Sequence, residues 1–488
     1  MTSKPKHLNI AALIFFLYDT AKQLVFPGVI FLIGFNGIVS RLLIDTFIAV
    51  FVVFMIIFTV WPYTKFTYQL LDDEIVIHSG IFVKKVNHVP YDRIQNVIAN
   101  QWFFLKPFHL EELQIETAGH SNGAEVSLKA VPTSLRDQLN HLREANPIHK
   151  QPVDESETEV TDDQTPILNK YVISWRDLWK FATTSPAFLS GFLVVLSLYG
   201  KVQGSISQKF YQSLSKQMIH LGILIAVGVA ILIILLFYLA SVMFLIAQYY
   251  HFTLQESSGK FYTQRGFFKN RKSSINFDRI QAVMIKQPLL RSFLKISTVQ
   301  LIVVSNYAKG DTENDNIVMP VITDAKLAAF LGKFFPDIPT ELVPHFQPLR
   351  RTFFYYLRNA LIYAVITIGL LSFMTFFSWK IWIGMAIVVL IFWLIPAYLS
   401  AKRTNVSLLN DEFLVIRRNH FMTRQSFFVP KSSIQLLEKR QSLWLEKRHM
   451  ASLTVNIRAG NDKRAIKINY QAEAPIDEIV AWYKSNEK

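Results

Sequence analysis

Three clusters of basic side chains are the groups in this sequence whose types and spacing could bind a charged ligand. The clusters are Lys84 and Lys85, then Lys269, Arg271 and Lys272, then Arg417, Arg418 and Arg424. Ammonium and guanidinium groups form charge-assisted hydrogen bonds with anionic oxygens. We therefore expect the clusters to contact an anionic group, and the alternative is an ordinary solvated basic surface.

A second candidate site comes from the short element Asp-Arg-Ile-Gln, which occurs twice in the chain. Arg93 and Arg279 could contact a phosphate or carboxylate of a ligand, or they could pair locally with the aspartate before them. Gln95 and Gln281 have a counterpart in Gln435. Each glutamine could contact a ligand, or it could satisfy backbone groups within a sheet.

Catalytic and metal-binding motifs are missing from the sequence. It contains no cysteine, which excludes disulfide bonds, zinc-thiolate sites, iron–sulfur clusters and cysteine nucleophiles. It has no phosphate-binding loop, dinucleotide fingerprint, zinc-protease helix or serine-hydrolase elbow. The 12 histidines are scattered, and none is spaced with a carboxylate as metal ligands are. We expect a protein that is not an enzyme and that uses no metal or cofactor.

The composition is typical of a membrane protein. Of the 488 residues, 51% are apolar and 40 are phenylalanine, and the mean hydropathy is +0.26. Charged residues make up only 18%, against about 25% in typical soluble domains. The formal charge of +15 would suit nucleic acid or an anionic membrane surface. Basic residues that flank membrane spans explain this charge, so we expect no nucleic-acid partner.

The apolar residues form three pairs of long runs, and a helix needs about 20 apolar residues to cross a bilayer. The runs are approximately Leu24–Val39 and Leu42–Trp61, Phe181–Gly200 and Ile219–Ala247, and Ala360–Phe377 and Ile381–Ser400. We expect six spans, of which the first is short and the third is weakened by polar residues and a proline. None has an ionisable group near mid-span, which argues against a proton relay.

Basic residues determine the predicted orientation. The apolar stretch Ile10–Tyr18 is followed by no cleavage pattern, so we expect a retained helix that lies in the membrane interface. Lysine and arginine are in excess beside the polar segments, which by the positive-inside rule places these segments and both termini in the cytoplasm. The lysines of the loop 201–217 argue mildly for the opposite orientation. The predicted location is the plasma membrane.

The polar segments that follow the three pairs of runs are copies of one another. Adding 186 to residue numbers of the first copy gives the second copy, and adding 340 gives the third. In this alignment Gln95, Gln281 and Gln435 coincide, whereas Ser432 and Ser433 replace the Asp-Arg of the first two copies. Several positions stay in register without a gap, so the repeat is the strongest feature of the sequence.

Each copy has the pattern of short, half-buried strands followed by one helix. Apolar and polar residues alternate in segments such as Glu74–Ile77 and Leu113–Glu116, as they do in antiparallel strands. Closing helices are expected from Thr133, over about Asp324–Phe335 and over about Pro475–Lys484. The pattern predicts a small barrel or sandwich that is capped by a helix.

Glycines punctuate the predicted strands of the first two copies. Gly80 and Gly266 suit a turn that requires positive φ. In the third copy His420 occupies this place. We expect either a looser turn there or a left-handed conformation at Asn419.

Together these elements resemble a known family. The Asp-Arg-Ile-Gln element, a second glutamine six residues later and an apolar-x-apolar strand are similar to the bacterial pleckstrin-homology (PH-like) domain. Two spans and one such domain, repeated three times, resemble the YdbT type of the YdbS/YdbT membrane-protein family, as does the segment 171–178. The resemblance implies that a smaller one-domain membrane protein of the same family is a partner.

The sequence therefore predicts an α+β membrane protein of three repeats, each a transmembrane helical hairpin followed by a PH-like barrel or sandwich with a C-terminal helix. The predicted segments are an interfacial helix with the first hairpin (1–62), the first domain (63–150), an acidic linker (151–170), the second hairpin (171–247) and domain (248–345), and the third hairpin (346–400) and domain (401–488). The bilayer itself is the first partner that this organisation requires.

We expect a non-enzymatic scaffold whose three cytoplasmic domains bind a protein partner, a peptide or anionic lipid head groups within a cell-envelope complex. Two alternatives stay open. One is a six-span transporter or channel component, because internal repeats are common in transporters. The other is a regulatory subunit of an envelope or lipid-synthesis enzyme. The parallel, mostly cytoplasmic repeat favours the scaffold over the transporter.

Overall fold

The computed structural model of the protein describes residues 4–35, 41–117, 126–145, 168–185, 223–257, 259–304, 316–338, 350–374, 379–459 and 462–485. The chain divides into two compact units. The first unit contains Met1–Gln164, Val172–Thr253 and Tyr262–Ser274, and the second contains Thr165–Tyr171, Leu254–Phe261 and Ile275–Lys488.

The helices and strands follow the repeat. The first copy and the elements before it are β1 (Lys6–His7), α1 (Leu13–Phe35), α2 (Arg41–Lys65), β2 (Thr67–Leu70), β3 (Glu74–Ser79), β4 (Lys85–Pro90), β5 (Ile94–Trp102), β6 (Leu110–Thr117), β7 (Val126–Pro132) and α3 (Thr133–Ala145). The second group is β8 (Asn169–Val172), α4 (Trp175–Thr183), α5 (Ile223–Tyr249), β9 (Thr253–Ser257), β10 (Lys260–Arg265), β11 (Lys269–Asn276), β12 (Ile280–Pro288), α6 (Leu289–Phe293), β13 (Ile296–Val303), β14 (Ile317–Thr323) and α7 (Asp324–Phe334). The third is α8 (Arg350–Met374), α9 (Trp379–Arg403), β15 (Asn405–Leu409), β16 (Phe413–His420), β17 (Thr423–Pro430), β18 (Ile434–Arg440), α10 (Leu443–Glu446), β19 (Met450–Ala459), β20 (Asp462–Ala472) and α11 (Glu473–Lys484).

Four of the described helices are long and apolar enough to cross a membrane. They are Leu42–Lys65, Ile231–Tyr249, Arg350–Ser372 and Trp382–Arg403. They correspond to the second predicted run of the first two pairs and to both runs of the third pair. The predicted run 181–200 lies outside the described residues from residue 186 onward, and so does most of the acidic linker.

The beginning of the chain differs from its sequence-based expectation. Helix α1 runs without a break from Leu13 to Phe35, where we expected an interfacial helix and a separate apolar run. The ring of Phe15 lies 6.2 Å from the ring of Trp102, and β1 pairs with β2 of the first domain. Because these aromatic rings pack together, the first turns of α1 belong to the first domain. The domain boundaries that we drew from the sequence stay predictions.

The first copy is a sandwich of two sheets. One sheet has the strand order β1-β2-β3-β4, and β5, β6 and β7 lie consecutively in a second sheet. Ile75 and Val89 of the first sheet share one buried core with Leu113 and Ile115 of the second. Helix α3 closes this core with Leu135 and Leu139, as the alternating pattern and the leucine spacing predicted.

The third copy repeats this arrangement in the second unit. Leu414 and Phe427 from β16 and β17 share a buried core with Leu453 and Val455 from β19, and Trp482 of α11 closes it. The closing helices α7 and α11 begin within two residues of the predicted positions. The helix-capped sandwich is therefore confirmed in the first and third copies.

The sequence also allowed each copy to form a closed barrel. That prediction is wrong, because the sheets are open. In the first unit the strand order is β7-β6-β5-β11-β10, and in the second unit it is β14-β13-β12-β17-β16-β15. The strand that would have closed the barrel of one copy is instead hydrogen-bonded to a strand of the next copy. Strands β18, β19 and β20 form a separate three-stranded sheet.

Both predicted turn glycines adopt positive φ. The φ angle is +96° at Gly80 and +110° at Gly266, which confirms the prediction for these turns. In the third copy Phe421 takes the left-handed conformation, with φ of +56°. The turn is closed by His420 opposite Thr423, so it is tighter than we expected, and Asn419 stays in the strand.

Replacing Gly266 with alanine is expected to lower the free energy of unfolding by about 3 kcal/mol. An added Cβ atom would lie 2.0 Å from the backbone oxygen of Lys269, in addition to the cost of positive φ. Gly259→Ala is the matched control, because Gly259 also has positive φ (+69°) but open space around it. Denaturant unfolding in detergent, followed by tryptophan fluorescence, measures both variants. Equal destabilisation by the two would contradict this account of the turn.

Candidate functional site

Two strands of each copy determine how consecutive copies join. We name β4, β11 and β17 the leading strands, and β5, β12 and β18 the trailing strands. In the first unit β5 pairs antiparallel with β11, and Trp102 lies opposite Lys269. In the second unit β12 pairs antiparallel with β17, and Pro288 lies opposite Thr423. The repeat aligns Pro288 with Trp102 and Thr423 with Lys269, so both junctions use one register.

The basic cluster of the second copy lies within the first of these junctions. Lys269, Arg271 and Lys272 all belong to the leading strand β11, which is covered by β5. The Lys269 Nζ atom lies 4.9 Å from the centroid of the Trp102 ring and 3.9 Å from Glu112 Oε2. Its charge is therefore directed toward a carboxylate of the first copy.

Glu111, the neighbour of Glu112 on β6, adds a second carboxylate to this junction. Its side chain is buried, and Arg136 Nη1 lies 3.5 Å from its Oε2 atom. Burial raises the pKa of the Glu111 carboxyl, and the positive charges of Arg136 and Lys272 offset part of that rise. Sequence reasoning missed these acidic partners, although Glu111 and Glu112 are adjacent acidic residues near the start of a predicted strand.

Replacing Glu111 with glutamine is expected to stabilise the protein more at pH 7 than at pH 5. The raised pKa means that the folded state binds this proton more tightly than the unfolded state does, so raising the pH through that pKa costs stability. Glutamine carries no such cost. Glu438→Gln is the control, because the hydrogen bond from Arg440 lowers the pKa of Glu438, so the effect of this substitution on stability should hardly change between pH 5 and pH 7. Thermal unfolding of both variants at the two pH values gives the test, and a pH-independent difference for Glu111→Gln would contradict it.

Arg417 and Arg424 of the third copy form a different environment. They lie on β16 and β17, and burial followed by the charge of Arg424 lowers the pKa of Arg417. Arg403, the last residue of α9, also interacts electrostatically with Arg424, and its Nη2 atom lies 3.4 Å from Ser292 Oγ. Arg424 has no carboxylate partner in the described part of the chain. We name Arg403, Arg417 and Arg424 the arginine cluster.

The arginine cluster lies where a candidate span ends. Arg403 is the final residue of the span Trp382–Arg403. Lipid phosphates are found at this level of a bilayer, and each basic residue near an anionic surface contributes about 1 kcal/mol of attraction. The cluster can therefore bind an anionic oxygen group at the membrane surface.

Arg418 has different surroundings, although the sequence grouped it with Arg417 and Arg424. Its Nε donates a hydrogen bond of 3.0 Å to Gln425 Oε1, and its guanidinium lies 5.2 Å from the centroid of the Phe427 ring. Burial and the charge of Arg464 lower its pKa to about 10. It therefore stays protonated at pH 7 and packs against the domain core.

The residues of the Asp-Arg element lie at the other end of the leading strands. Arg93 and Arg279 end the short turns Tyr91–Arg93 and Phe277–Arg279. Arg93 is exposed and Arg279 is half-buried. Because β11 has eight residues, Arg279 lies roughly 25 Å along the strand from Lys269. The structure thus does not bring the two predicted sites together.

The recurring glutamine marks a β-bulge in every copy. The trailing strands change register with the strand after them between Ile94 and Asn96, Ile280 and Ala282, and Ile434 and Leu436. Gln281 is half-buried and Gln435 is exposed, while the side chain of Gln95 lies outside the described residues. The bulge accounts for the position of these residues through the backbone. Ligand binding by Gln95, Gln281 and Gln435 stays a prediction.

A second recurring glutamine bridges two backbone segments. Gln101, Gln287 and Gln441 donate from Nε2 to the backbone oxygens of Leu110, Ile296 and Met450 at 3.5, 3.3 and 3.1 Å. The three acceptors are themselves equivalent in the repeat. In the sequence this glutamine was recognised by its spacing of six residues from the bulge glutamine. In the structure it donates a hydrogen bond that holds the loop between two strands.

The second unit also contains an apolar cavity of about 240 Å³. Its aromatic lining consists of Phe261, Phe277, Phe334, Phe335, Phe413 and Phe428. Ligand pockets are usually larger, at roughly 300–1,000 Å³, and contain convergent polar groups that orient the ligand. No cluster of three or more histidine, aspartate or glutamate side chains that could hold a metal occurs among the residues that the structure describes.

Comparison with known proteins supports the repeated unit. The sequence profile of the family described as "Bacterial PH domain" matches the chain at residues 24–144, 216–332 and 359–487. The chain is similar to the "UPF0699 transmembrane protein YdbT" of Bacillus subtilis (strain 168), with 23% identity over 499 aligned residues that cover 99% of each chain. No solved structure matches it. Each matched range contains a candidate span and the strands that follow it.

Proposed function

The chain belongs to the bacterial PH domain family, and on that basis we propose that it is a non-enzymatic scaffold in the membrane. Its three PH-like domains bind a protein partner, a peptide or anionic lipid within a cell-envelope complex. The protein partner that we favour is a smaller membrane protein with one domain of the same kind. The relative YdbT is itself described as a transmembrane protein, which supports the location.

The strand pairing between consecutive copies carries this proposal. A flexible linker would let neighbouring domains move independently, whereas the backbone hydrogen bonds of β5 with β11 and of β12 with β17 hold them in one register. Binding sites held at fixed spacing raise the effective concentration of a second site once the first is occupied. Individually weak contacts then suffice for a stable complex.

The proposed topology is a hairpin of two spans before each domain, with six spans in the plasma membrane. The four candidate spans support it. The distribution of lysine and arginine favours both termini and all three domains in the cytoplasm. On that side the basic clusters would face the anionic leaflet.

Crosslinking in intact cells followed by purification and mass spectrometry tests the scaffold. The expected result is a small membrane protein with one PH-like domain, recovered at a constant ratio to the full-length chain. A second multi-pass protein with the same affinity tag is the control for non-specific membrane contacts. Recovery of the chain alone would contradict the scaffold, and substrate flux in proteoliposomes would support a transporter in its place.

A further inference from the structure

The leading strand of the first copy is the starting point, because its edge is open. Strand β4 is paired with β3 on one side only in the described part of the chain. The equivalent strands β11 and β17 are each covered by the trailing strand of the preceding copy. The trailing strand β18 of the third copy is likewise paired on one side only in the described part of the chain.

The open edge of β4 carries apolar side chains. Val86 is 46% exposed, and Phe82 and Val83 in the turn before the strand are 79% and 71% exposed. Lys84 and Lys85 are also exposed beside them. Folded proteins protect an edge strand of this kind or cover it with another chain. In the second copy the equivalent strand, β11, pairs with the uncharged strand β5 and lies near the carboxylates of Glu111 and Glu112.

A second copy of this chain does not fit the edge. The trailing strand that a second copy would offer is β18, which has Glu438, Lys439 and Arg440 where β5 has Ile98, Ala99 and Asn100. The register shared by both junctions would place Arg440 opposite Lys85, and like charges in directly opposed positions are destabilising. Ala451 and Ser452 stand in that copy where the first copy has Glu111 and Glu112.

We infer that the edge of β4 pairs with the trailing strand of a PH-like domain in a different polypeptide chain. The strand beside that trailing strand carries carboxylates within reach of Lys84 and Lys85. In the first junction Glu112 lies 3.9 Å from Lys269, two residues before Arg271, the equivalent of Lys85. This mode is β-strand addition, in which backbone hydrogen bonds supply affinity and side chains supply specificity. The inference rests on the proposed scaffold function and deepens it, because it assigns the contact surface and the chemistry of the partner.

Site-specific photo-crosslinking of the full-length chain tests the inference. A photoreactive phenylalanine analogue replaces Val86 in one variant and Leu436 of the open strand β18 in a matched variant, and both are irradiated in the cells that make them. The expected result is a single protein adduct from position 86. Mass spectrometry should map it to the first strand after the Asp-Arg-type turn of a PH-like domain, followed by an acidic strand.

Charge variants at the same edge sharpen the result. Lys84→Glu with Lys85→Glu is expected to reduce the adduct at position 86 by about tenfold or more, since like charges that face each other across an interface oppose binding. Lys84→Arg with Lys85→Arg should leave it in place. Because these side chains are exposed, the variants should fold normally, and thermal unfolding of each checks this.

Three outcomes would overturn the inference. An adduct of position 86 with β18 of a second copy would assign the edge to self-association, and an adduct with lipid or with a protein lacking a PH-like domain would assign it to other contacts. Chemical crosslinking could recover a partner that forms a photo-adduct at position 436 and none at position 86. That result would show that β4 is not the contact surface, and the proposed scaffold function would be unaffected. Absence of any partner in both experiments would remove the two together.

Discussion

Replacing Phe427 with alanine is expected to lower the local free energy of unfolding in the second unit by about 3–5 kcal/mol. The ring is fully buried and lies opposite Met284 across the pairing of β12 with β17. The guanidinium groups of Arg418 and Arg464 lie 5.2 and 5.8 Å from its centroid. Truncation therefore removes packing from the domain core and the aromatic partner of two half-buried cations.

Hydrogen exchange measured by mass spectrometry on the detergent-solubilised protein resolves this effect. Peptides that cover β12 and β17 should exchange about 100-fold faster or more in the variant. Phe421→Ala is the matched control, since Phe421 lies in the turn of the same hairpin but is 45% exposed. Similar exchange in the two variants would mean that the junction does not depend on the core beneath it.

The paired substitution Arg417→Glu with Arg424→Glu is expected to abolish the preference of the protein for anionic lipid. Two basic residues near the surface account for about 2 kcal/mol, which corresponds to roughly a thirtyfold difference in lipid retention. The pair belongs to the arginine cluster at the end of a candidate span.

Native mass spectrometry of protein released from phosphatidylglycerol and phosphatidylcholine nanodiscs measures this preference. The control is Arg458→Glu with Lys467→Glu, which makes the same change in net charge at exposed positions on β19 and β20 of the same domain. The wild type and the control should retain phosphatidylglycerol. An equal loss in the control would show that net charge, and not the arginine cluster, sets the preference.

Local features of the fold could be predicted from the sequence because they depend on short-range chemistry. Alternation of apolar and polar residues identified β3 and β6, and the start of α3 at Thr133 followed from the leucine spacing after it. Positive φ at Gly80 and Gly266 followed from the absence of a Cβ atom. In each case the residues that determine the structure are adjacent in the chain.

The junctions could not be predicted because the choice of partner for an edge strand is non-local. Nothing in the sequence of β5 distinguishes closure of its own barrel from pairing with β11, since both satisfy the same backbone groups. For the same reason Lys269, Arg271 and Lys272 were expected to contact an anionic ligand or to form a solvated surface, whereas they lie on a covered strand opposite the first copy. Arg403 was missed because it lies just after the predicted run Ile381–Ser400, apart in sequence from Arg417 and Arg424.

The common register of the two junctions bears on how such a chain can change in evolution. Backbone hydrogen bonds hold each junction, so side chains there can drift, as Asn100 and Lys286 do at equivalent positions. The two covered leading strands, β11 and β17, pair with the trailing strand of the preceding copy in the same alignment. Deletion of 186 consecutive residues would join a position of the first copy to the equivalent position of the second. The strands at the remaining junction would be of the same kind as before. The number of repeats is therefore a quantity that duplication or deletion of a gene segment can alter in whole steps.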